Sequence, residues 1–291
     1  MQIGLIGTGL MGLPMAQRLL GAGFSLTAYN RTAAKLEPLQ TAGAAIAPDP
    51  LTVLQNSDCT ILMLTNAAAI HETVLPDGTR SVLPGKTLIQ MGTIAPQESR
   101  EIHAMVTASG GSYLEAPVLG SIPEARDGKL LVMVGGTPDQ YTQWLPVLQC
   151  FGESPRLIGG VGQAAAVKLA LNQLIGSLTA AFSTSLGFLL KENVAIEPFM
   201  EILRQSALYA PTFDKKLQKM LDQNFENPNF PTKHLYKDIH LFNQAAQLLN
   251  LDVEVVQAVE AILERSLAQG LADKDYSSLF ATILNQGAAD Q

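Results

Sequence analysis

Three glycines near the start of the chain constrain its fold more than any other feature. Gly7, Gly9 and Gly12 follow a short apolar run at 3–6 (IGLI) and stand at the start of a helical pattern over 11–22. Such a turn joins a strand to a helix whose free N–H groups and dipole favour a pyrophosphate. Gly7 permits the tight turn, Gly9 lets the backbone approach phosphate, and Gly12 allows close helix–strand packing. The loop predicts a Rossmann-type domain that binds a dinucleotide; the alternative is a glycine-rich turn without a ligand.

Short apolar runs alternate with helical patterns over the first 160 residues. A second strand is expected at 24–29, and the fully apolar run at 59–64 (CTILML) is typical of a strand covered on both faces. Further strands are expected at 87–90, 112–115 and 130–134. This alternation predicts a parallel sheet with crossover helices.

The pattern changes after residues 159–162 (GGVG), where strand signals almost disappear and helical periodicity continues. Residues from Gln163 to about Lys191 predict one long helix, too hydrophobic on all sides to lie on a surface. It would be buried against its own neighbours or against a second subunit, so a homodimer or homotetramer is expected. The predicted fold class is α/β: a Rossmann-type parallel-sheet domain at 1–161, followed by an all-helical substrate and dimerisation domain at 162–291.

Composition excludes several classes of partner. The net charge of -7, without clustered Lys and Arg, would repel a phosphate backbone, so no nucleic-acid binding is expected. Cys59 and Cys150 are too few for a disulfide framework and favour a reduced, cytoplasmic setting. The first strand leaves no room for a leader, and Lys168 and Asn172 interrupt the longest apolar stretch. We therefore expect a protein that is neither exported nor bound to a membrane.

The residues that end the second strand indicate which nucleotide is bound. In NAD enzymes a carboxylate about 20 residues after the loop holds the ribose hydroxyls. Here Asn30 stands at that point and is followed by Arg31 and Thr32. An uncharged amide, a guanidinium and a hydroxyl suit the 2′-phosphate of NADP. We expect NADP(H); the alternative is that Arg31 is an ordinary solvated charge.

One lysine stands where the helical pattern is otherwise apolar. Lys168 and Asn172 are four residues apart and share a helix face, while the other residues from 164 to 171 are apolar. Burial of an ammonium costs desolvation and would lower its pKa toward the range of a working acid. The alternative is a snorkelling or salt-bridged lysine. Because the lysine follows a nucleotide-binding domain directly, at the junction where clefts form, we favour a role in catalysis.

A second polar cluster lies at 233–238 (KHLYKD). From composition alone, Lys237 and Asp238 have the pattern of an exposed helix pair. His234 and His240 have no cysteine or carboxylate at ligand spacing, so no metal site is expected.

Together these segments resemble the β-hydroxyacid dehydrogenase family over essentially the whole chain. The phosphate loop resembles the family's opening motif, and 115–121 (EAPVLGS) with 127–130 (DGKL) resembles its substrate-binding motif. Residues 162–172 resemble the catalytic motif, and 237–241 (KDIHL) the late cofactor motif. Within the family, Glu115 and the segment 230–238 are most similar to the NADPH-dependent glyoxylate and succinic semialdehyde reductases.

The resemblance implies a role for each matched residue. Lys168 would be the catalytic lysine, with Asn172 to orient it or to hold a substrate oxygen. Phe230 and Asp238 would border the substrate, together with residues 119–121. Contacts to the cofactor would come from Gly7, Gly9, Leu10, Met11, Gly12, Asn30, Arg31, Thr32, Leu64, Thr65, Thr93 and Lys237.

Two positions depart from the family pattern. Leu119 stands where the family usually carries the serine that hydrogen-bonds the substrate carboxylate, and Ala164 replaces the second glycine before the lysine. The backbone N–H groups of Gly120 and Ser121 could still receive a carboxylate, with one donor fewer. The reductase prediction is unaffected, but the exact substrate stays open.

The hypothesis from sequence is hydride transfer from NADPH to an aldehyde carbonyl held between the domains, with Lys168 as general acid. The substrate would be an aldehyde acid of the glyoxylate or succinic semialdehyde class. Alternatives within the same architecture are a 3-hydroxyisobutyrate or tartronate semialdehyde dehydrogenase and an imine reductase. For the imine reductase, Leu119 favours a less polar substrate, whereas Lys168 favours a carbonyl substrate instead. An alternative of another class is a non-catalytic NADP-binding scaffold, which would have no need of an apolar-face lysine.

Overall fold

The alternating first half of the chain forms one twisted sheet in the computed structural model, which describes residues 1–285. Within these residues the strands are β1 (Gln2–Ile6), β2 (Ser25–Tyr29), β3 (Ala45–Ile46), β4 (Cys59–Leu62), β5 (Thr87–Gln90), β6 (Ser112–Glu115), β7 (Val118–Leu119), β8 (Leu131–Gly135) and β9 (Arg156–Gly159). Their spatial order is β3-β2-β1-β4-β5-β6-β8-β7, with β9 paired to β8.

The six neighbouring strands β3, β2, β1, β4, β5 and β6 pair in parallel, and this order is that of a dinucleotide-binding sheet. Ile3 of β1 lies opposite Leu26 on one side and Cys59 on the other. The chain changes direction across the sheet at β1, and ligands bind beyond the carboxyl ends of strands at such a switch point. The predicted fold class is confirmed.

The strands that sequence analysis did not predict are short or exposed. β3 and β7 have two residues each, and β9 has Leu157 and Ile158 more than a third exposed. Such segments carry neither a buried apolar run nor a regular alternation. The strand predicted at 59–64 ends at Leu62, because the chain turns away at the carboxyl edge of the sheet.

Helices cover both faces of the sheet. Those before the long helix are α1 (Gly12–Gly21), α2 (Glu37–Thr41), α3 (Pro50–Gln55), α4 (Ala67–Val74), α5 (Asp77–Arg80), α6 (Pro96–Ala108), α7 (Ile122–Asp127) and α8 (Pro138–Leu148). One core includes Met15 and Leu19 of α1 and Trp144 of α8, and the other includes Val53 of α3 and Ile102 of α6. Two buried faces explain why the central strands are apolar throughout.

The chain divides into two compact units, Met1–Leu169 and a second that begins at Ala170. The division falls inside the long helix α9 (Gln163–Lys191), whose bounds were predicted from sequence. The second unit continues with α10 (Ile196–Gln205), α11 (Pro211–Leu221), α12 (Thr232–Leu248), α13 (Glu254–Ala268) and α14 (Leu279–Leu284). Its cores surround Ile239 and Leu263 on one side and Phe182 and Met220 on the other.

One stripe of α9 is left uncovered by the described residues of the chain itself, so the predicted burial against a second subunit stays a prediction. Leu174 is 52% exposed and Phe188 64%, and Ala166, Ala170 and Ala181 are exposed on the same stripe. The helix is also long and apolar enough, by length and composition alone, to cross a membrane. Lys168 and Asn172, which interrupt the longest apolar stretch of the sequence, lie within the first three turns of the helix and leave a long apolar remainder. A core helix of a soluble protein passes the same test.

Candidate active site

The phosphate loop has a backbone path that admits no side chain at two of its glycines. Gly7 has a φ of 101°, and a Cβ built on it would lie 2.3 Å from the carbonyl oxygen of Met63. A Cβ on Gly12 would lie 1.9 Å from the carbonyl oxygen of Gly7. Both distances are far inside van der Waals contact, so α1 can start this close to β1 only with glycine at 7 and 12.

The loop also presents groups that fit a pyrophosphate. A Cβ on Gly9 would meet nothing within 4 Å, so the backbone is open to an approaching ligand there. The Oγ1 atom of Thr8 is buried and has no hydrogen-bond partner within residues 1–285. The first N–H groups of the ten-residue α1 follow directly. An open backbone, an unpaired hydroxyl and a helix N-terminus together form a cradle for a phosphate.

Asn30 connects the phosphate loop to the end of β2. Its Oδ1 accepts a hydrogen bond from the N–H of Thr8 at 3.1 Å, and its Nδ2 donates to the carbonyl oxygen of Thr32 at 3.0 Å. Arg31 and Thr32 are exposed just beyond this link. The amide therefore fixes the turn in which the predicted nucleotide-selecting residues lie.

A cleft of about 360 Å³ lies beside the loop, and its lining includes two cations that sequence analysis missed. Lys35 lies in a short 3₁₀ turn (Ala33–Leu36), and Arg126 lies on α7. The signal for Lys35 was available, because it stands one helical turn after Arg31. Arg126 reaches the cleft only through the packing of α7 against α1, which no local pattern reveals. Both add positive charge beside the place where a phosphate would bind.

The remaining predicted cofactor residues of the first unit follow the next strands along the same edge. Leu64 and Thr65 come after β4, and Thr93 comes after β5. Gly92 packs closely against the backbone of Leu64, since a Cβ built on Gly92 would lie 2.4 Å from the carbonyl oxygen of Leu64. The exposed Leu10 and the half-buried Met11 lie between the loop glycines. The sheet therefore places these residues along the carboxyl ends of four neighbouring strands.

The predicted substrate loop is arranged differently from the expectation. Leu119 ends β7, and Gly120 follows with a φ of 139°. The N–H and the hydroxyl of Ser121 both donate to Oε2 of Glu124, at 2.8 and 2.6 Å, in a capping box that starts α7. In this arrangement the Ser121 N–H, which was expected to be available to a substrate carboxylate, already donates to a carboxylate of the chain.

Lys168 lies on the second turn of α9 and is 9% exposed. The start of that helix is held by Glu115, whose Oε1 accepts from the N–H groups of Gly162 and Ala165, each at 2.9 Å. The other carboxyl oxygen of Glu115 accepts from the hydroxyl of Ser99. Burial raises the pKa of Glu115, opposed by the hydrogen bonds from Ser99 and from the helix N–H groups. The start of the helix that carries the lysine is therefore bound by a buried carboxyl group. Sequence analysis did not predict this contact of Glu115.

In the second unit the structure brings three predicted residues together. Nδ2 of Asn172 donates to Oδ2 of Asp238 at 2.5 Å, and Nζ of Lys237 lies 2.9 Å from Oδ1 of the same carboxylate. Asp238 is 2% exposed, so its interpretation as an exposed helix partner is wrong. Phe230 packs edge-on against Tyr276, with ring centroids 5.8 Å apart. Asn172, Lys237 and Asp238 form one polar cluster on α9 and α12.

Replacing Glu115 with glutamine is expected to change how stability depends on pH. Its raised pKa means that the neutral carboxyl group is favoured more in the folded chain than in the unfolded chain. This contribution to stability is complete below the unfolded-state pKa of about 4.3 and is lost as the pH rises through the raised value. Glutamine keeps one oxygen that can accept from the helix N–H groups, places an NH2 donor toward Ser99 in place of the second oxygen, and cannot ionise. The melting temperature of Glu115→Gln, minus that of wild type, should therefore increase between about pH 5 and pH 8.

Circular dichroism melts of both proteins at several pH values would measure this difference. Glu98 caps α6 in the same unit by accepting from the N–H of Ala95 at 2.7 Å, which makes Glu98→Gln the matched control. A difference that is flat with pH for Glu115→Gln, or that rises equally for both variants, would contradict the expectation.

Comparison with known proteins agrees with this geometry. Residues 2–162 match the family model described as the NAD binding domain of 6-phosphogluconate dehydrogenase. Residues 162–283 match the model described as NAD-binding of NADP-dependent 3-hydroxyisobutyrate dehydrogenase. The matches meet at residue 162, immediately before α9.

Two relatives from Arabidopsis thaliana match over nearly the whole chain. Glyoxylate/succinic semialdehyde reductase 1 is 30% identical over 97% of this chain and 98% of its own length. Glyoxylate/succinic semialdehyde reductase 2, chloroplastic, is 32% identical over 97% of this chain and 79% of its own. A solved 3-hydroxyisobutyrate dehydrogenase from Salmonella typhimurium shares the fold, with a TM-score of 0.86, 23% identity and coverage of 96% and 99% of the two chains.

The parallel sheet, the phosphate loop and these matches define an oxidoreductase that depends on a nicotinamide cofactor. The chain belongs to the β-hydroxyacid dehydrogenase family. The family and the class of enzyme predicted from sequence are thereby confirmed.

Proposed function

We propose that this enzyme uses NADPH to reduce a small aldehyde acid, of the glyoxylate or succinic semialdehyde class, to the hydroxy acid. The observation that carries the proposal is Lys168, a buried lysine on the second turn of the helix that follows the nucleotide-binding sheet. Burying an ammonium costs free energy, and a substrate oxygen that accepts a hydrogen bond from it would offset part of that cost. The similarity to the two Arabidopsis reductases supports the substrate class.

The choice of NADP rests on the residues after β2. Asn30 supplies no negative charge to repel a 2′-phosphate, and its amide already bridges Thr8 and Thr32. Arg31 and Thr32 are exposed beside it, and Lys35 lies in the adjoining cleft. A guanidinium, a hydroxyl and an ammonium suit a dianionic phosphate.

In the proposed reaction each residue has a distinct task. NADPH, when bound, supplies the hydride. Lys168 hydrogen-bonds the carbonyl oxygen of the aldehyde, stabilises the negative charge that develops on it, and gives it a proton. Asn172 is held by Asp238, so it can orient a substrate oxygen with little loss of side-chain freedom. We also propose a domain boundary near residue 161 and a cytoplasmic location.

A panel of aldehydes with NADPH tests the reaction. Glyoxylate, succinic semialdehyde, tartronate semialdehyde, methylglyoxal and a bulkier apolar aldehyde would be compared by the decrease in absorbance of NADPH. Turnover of the aldehyde acids supports the proposal. Activity only with 3-hydroxy acids and NADP⁺, or only with cyclic imines, would replace it by the dehydrogenase or the imine reductase alternative. NADPH binding without any turnover would favour the scaffold.

We further propose that the protein is a homo-oligomer that buries the exposed stripe of α9. Leu174 and Phe188 are 52% and 64% exposed, although an apolar helix gains free energy by leaving water. Light scattering of the purified protein should give a dimeric or tetrameric mass, and Phe188→Asp should lower that mass. Lys191→Asp, at the end of the same helix, is the control for added charge. A monomeric wild type would rule the proposal out.

A further inference from the structure

The capping box at the start of α7 places an acidic side chain on donors that a substrate would need. Oε2 of Glu124 accepts from the Ser121 N–H at 2.8 Å and from the Ser121 hydroxyl at 2.6 Å. Its side chain also packs over Gly120, since a Cβ built on that glycine would lie 3.1 Å from Cβ of Glu124. The carboxylate of Glu124 therefore engages both donors of Ser121, and the aliphatic part of the same side chain packs against Gly120.

These residues lie in the segment that the sequence predicts to receive the carboxylate of the substrate, so the inference rests on the proposed function. A carboxylate binds through N–H and O–H donors, and each donor that is already engaged must be released first. An incoming anion would also approach a side chain of the same charge in a half-buried setting, where repulsion is weakly screened. Leu119 contributes no donor to offset either cost.

We propose that Glu124 is a specificity-determining residue that acts as an internal competitor of the substrate carboxylate. It weakens the preference of the site for an aldehyde with an anionic end over an aldehyde of the same length with an uncharged end. Leu119 contributes an apolar surface that suits such an end. An aldehyde acid binds only when the Glu124 carboxylate releases the donors of Ser121. Its KM is therefore higher than it would be if those donors were not engaged.

The test compares two aldehydes of equal length, succinic semialdehyde and butanal, with NADPH at saturation. Glu124→Ala frees both donors of Ser121 and removes the charge. We expect the ratio of kcat/KM for succinic semialdehyde to that for butanal to rise about tenfold, mainly through a lower KM for the acid. Glu124→Gln can keep the capping hydrogen bonds without the charge, and it should raise the ratio by a smaller factor.

Glu98→Ala removes the corresponding cap of α6 and controls for the loss of a capping glutamate. Circular dichroism melts would establish that the variants fold. An unchanged ratio in Glu124→Ala, or an equal change in Glu98→Ala, would overturn the proposal.

A binding measurement separates this inference from the proposed reaction. Calorimetry with NADP⁺-loaded protein would give the Kd of butyrate and of the uncharged butyramide. Glu124→Ala should tighten butyrate about tenfold relative to butyramide. Absence of turnover with every aldehyde would defeat the proposed function but leave this readout intact, whereas equal changes for the two ligands would defeat the inference.

Discussion

Replacing Lys168 with alanine is expected to lower kcat about a thousandfold while the Kd for NADPH stays within about threefold. A positioned general acid contributes roughly 10²–10⁴ in rate, and a buried ammonium near the carbonyl also stabilises the developing negative charge. The lysine follows the nucleotide-binding sheet and is not among the residues that would hold the phosphates. Loss of the side chain should therefore affect turnover and spare cofactor binding.

Two measurements separate these effects. Steady-state oxidation of NADPH gives kcat, and quenching or enhancement of NADPH fluorescence gives its Kd. Lys191→Ala removes an exposed lysine from the other end of the same helix and serves as the matched control. Lys168→Arg keeps the charge but donates its protons poorly, so we expect it to recover little activity. Wild-type turnover in Lys168→Ala would end the assignment of this lysine as the general acid.

The second large effect concerns the choice between NADP and NAD. Asn30→Asp keeps the oxygen that accepts from the Thr8 N–H and loses the donor to Thr32. It places a carboxylate where the ribose hydroxyls of NAD would bind and a 2′-phosphate would be repelled. The ratio of kcat/KM with NADPH to that with NADH should fall at least about a hundredfold, since each charged hydrogen bond contributes about 1.5–3 kcal/mol.

Arg31→Ala tests the same preference from the opposite direction. It should raise the KM for NADPH about ten- to thirtyfold and change that for NADH little, because in the proposed binding mode the guanidinium would contact the 2′-phosphate, which NADH lacks. Arg156→Ala, an exposed arginine on β9, controls for the loss of positive charge. An equal effect of Arg31→Ala on both cofactors would identify that residue as a general contributor to binding rather than a selector.

Sequence patterns predicted the parallel core of the fold because its signals are local. β5 and β6 are bounded by residues that end an apolar run, and α9 carries helical periodicity over 29 residues. The two-residue strands and β9 depend on pairing with distant strands, which local propensity does not encode. The hydrophobicity of α9 indicates that its faces are covered, but it does not say whether the chain itself or a second subunit covers each face.

The residues of the candidate site also differ in whether a local sequence pattern reveals them. Gly7, Asn30 and Lys168 are visible as isolated exceptions to a regular pattern. Glu115 reaches the start of α9 across 47 positions, and that contact exists only after the sheet has formed. The pair Ser121 and Glu124 was different, since a serine followed three residues later by glutamate is a recognisable capping signal. It was overlooked because the same residues also matched a binding motif.

The contact between Gly12 and the carbonyl of Gly7 has a consequence for how the cofactor associates. Because the backbone is locked by packing, the amide groups of the loop are aligned when the chain folds. Binding then orders few main-chain dihedral angles, and little of the interaction energy is spent on conformational entropy. The loop is preorganised, so the rate of association should be limited by diffusion and charge rather than by a rearrangement of the loop.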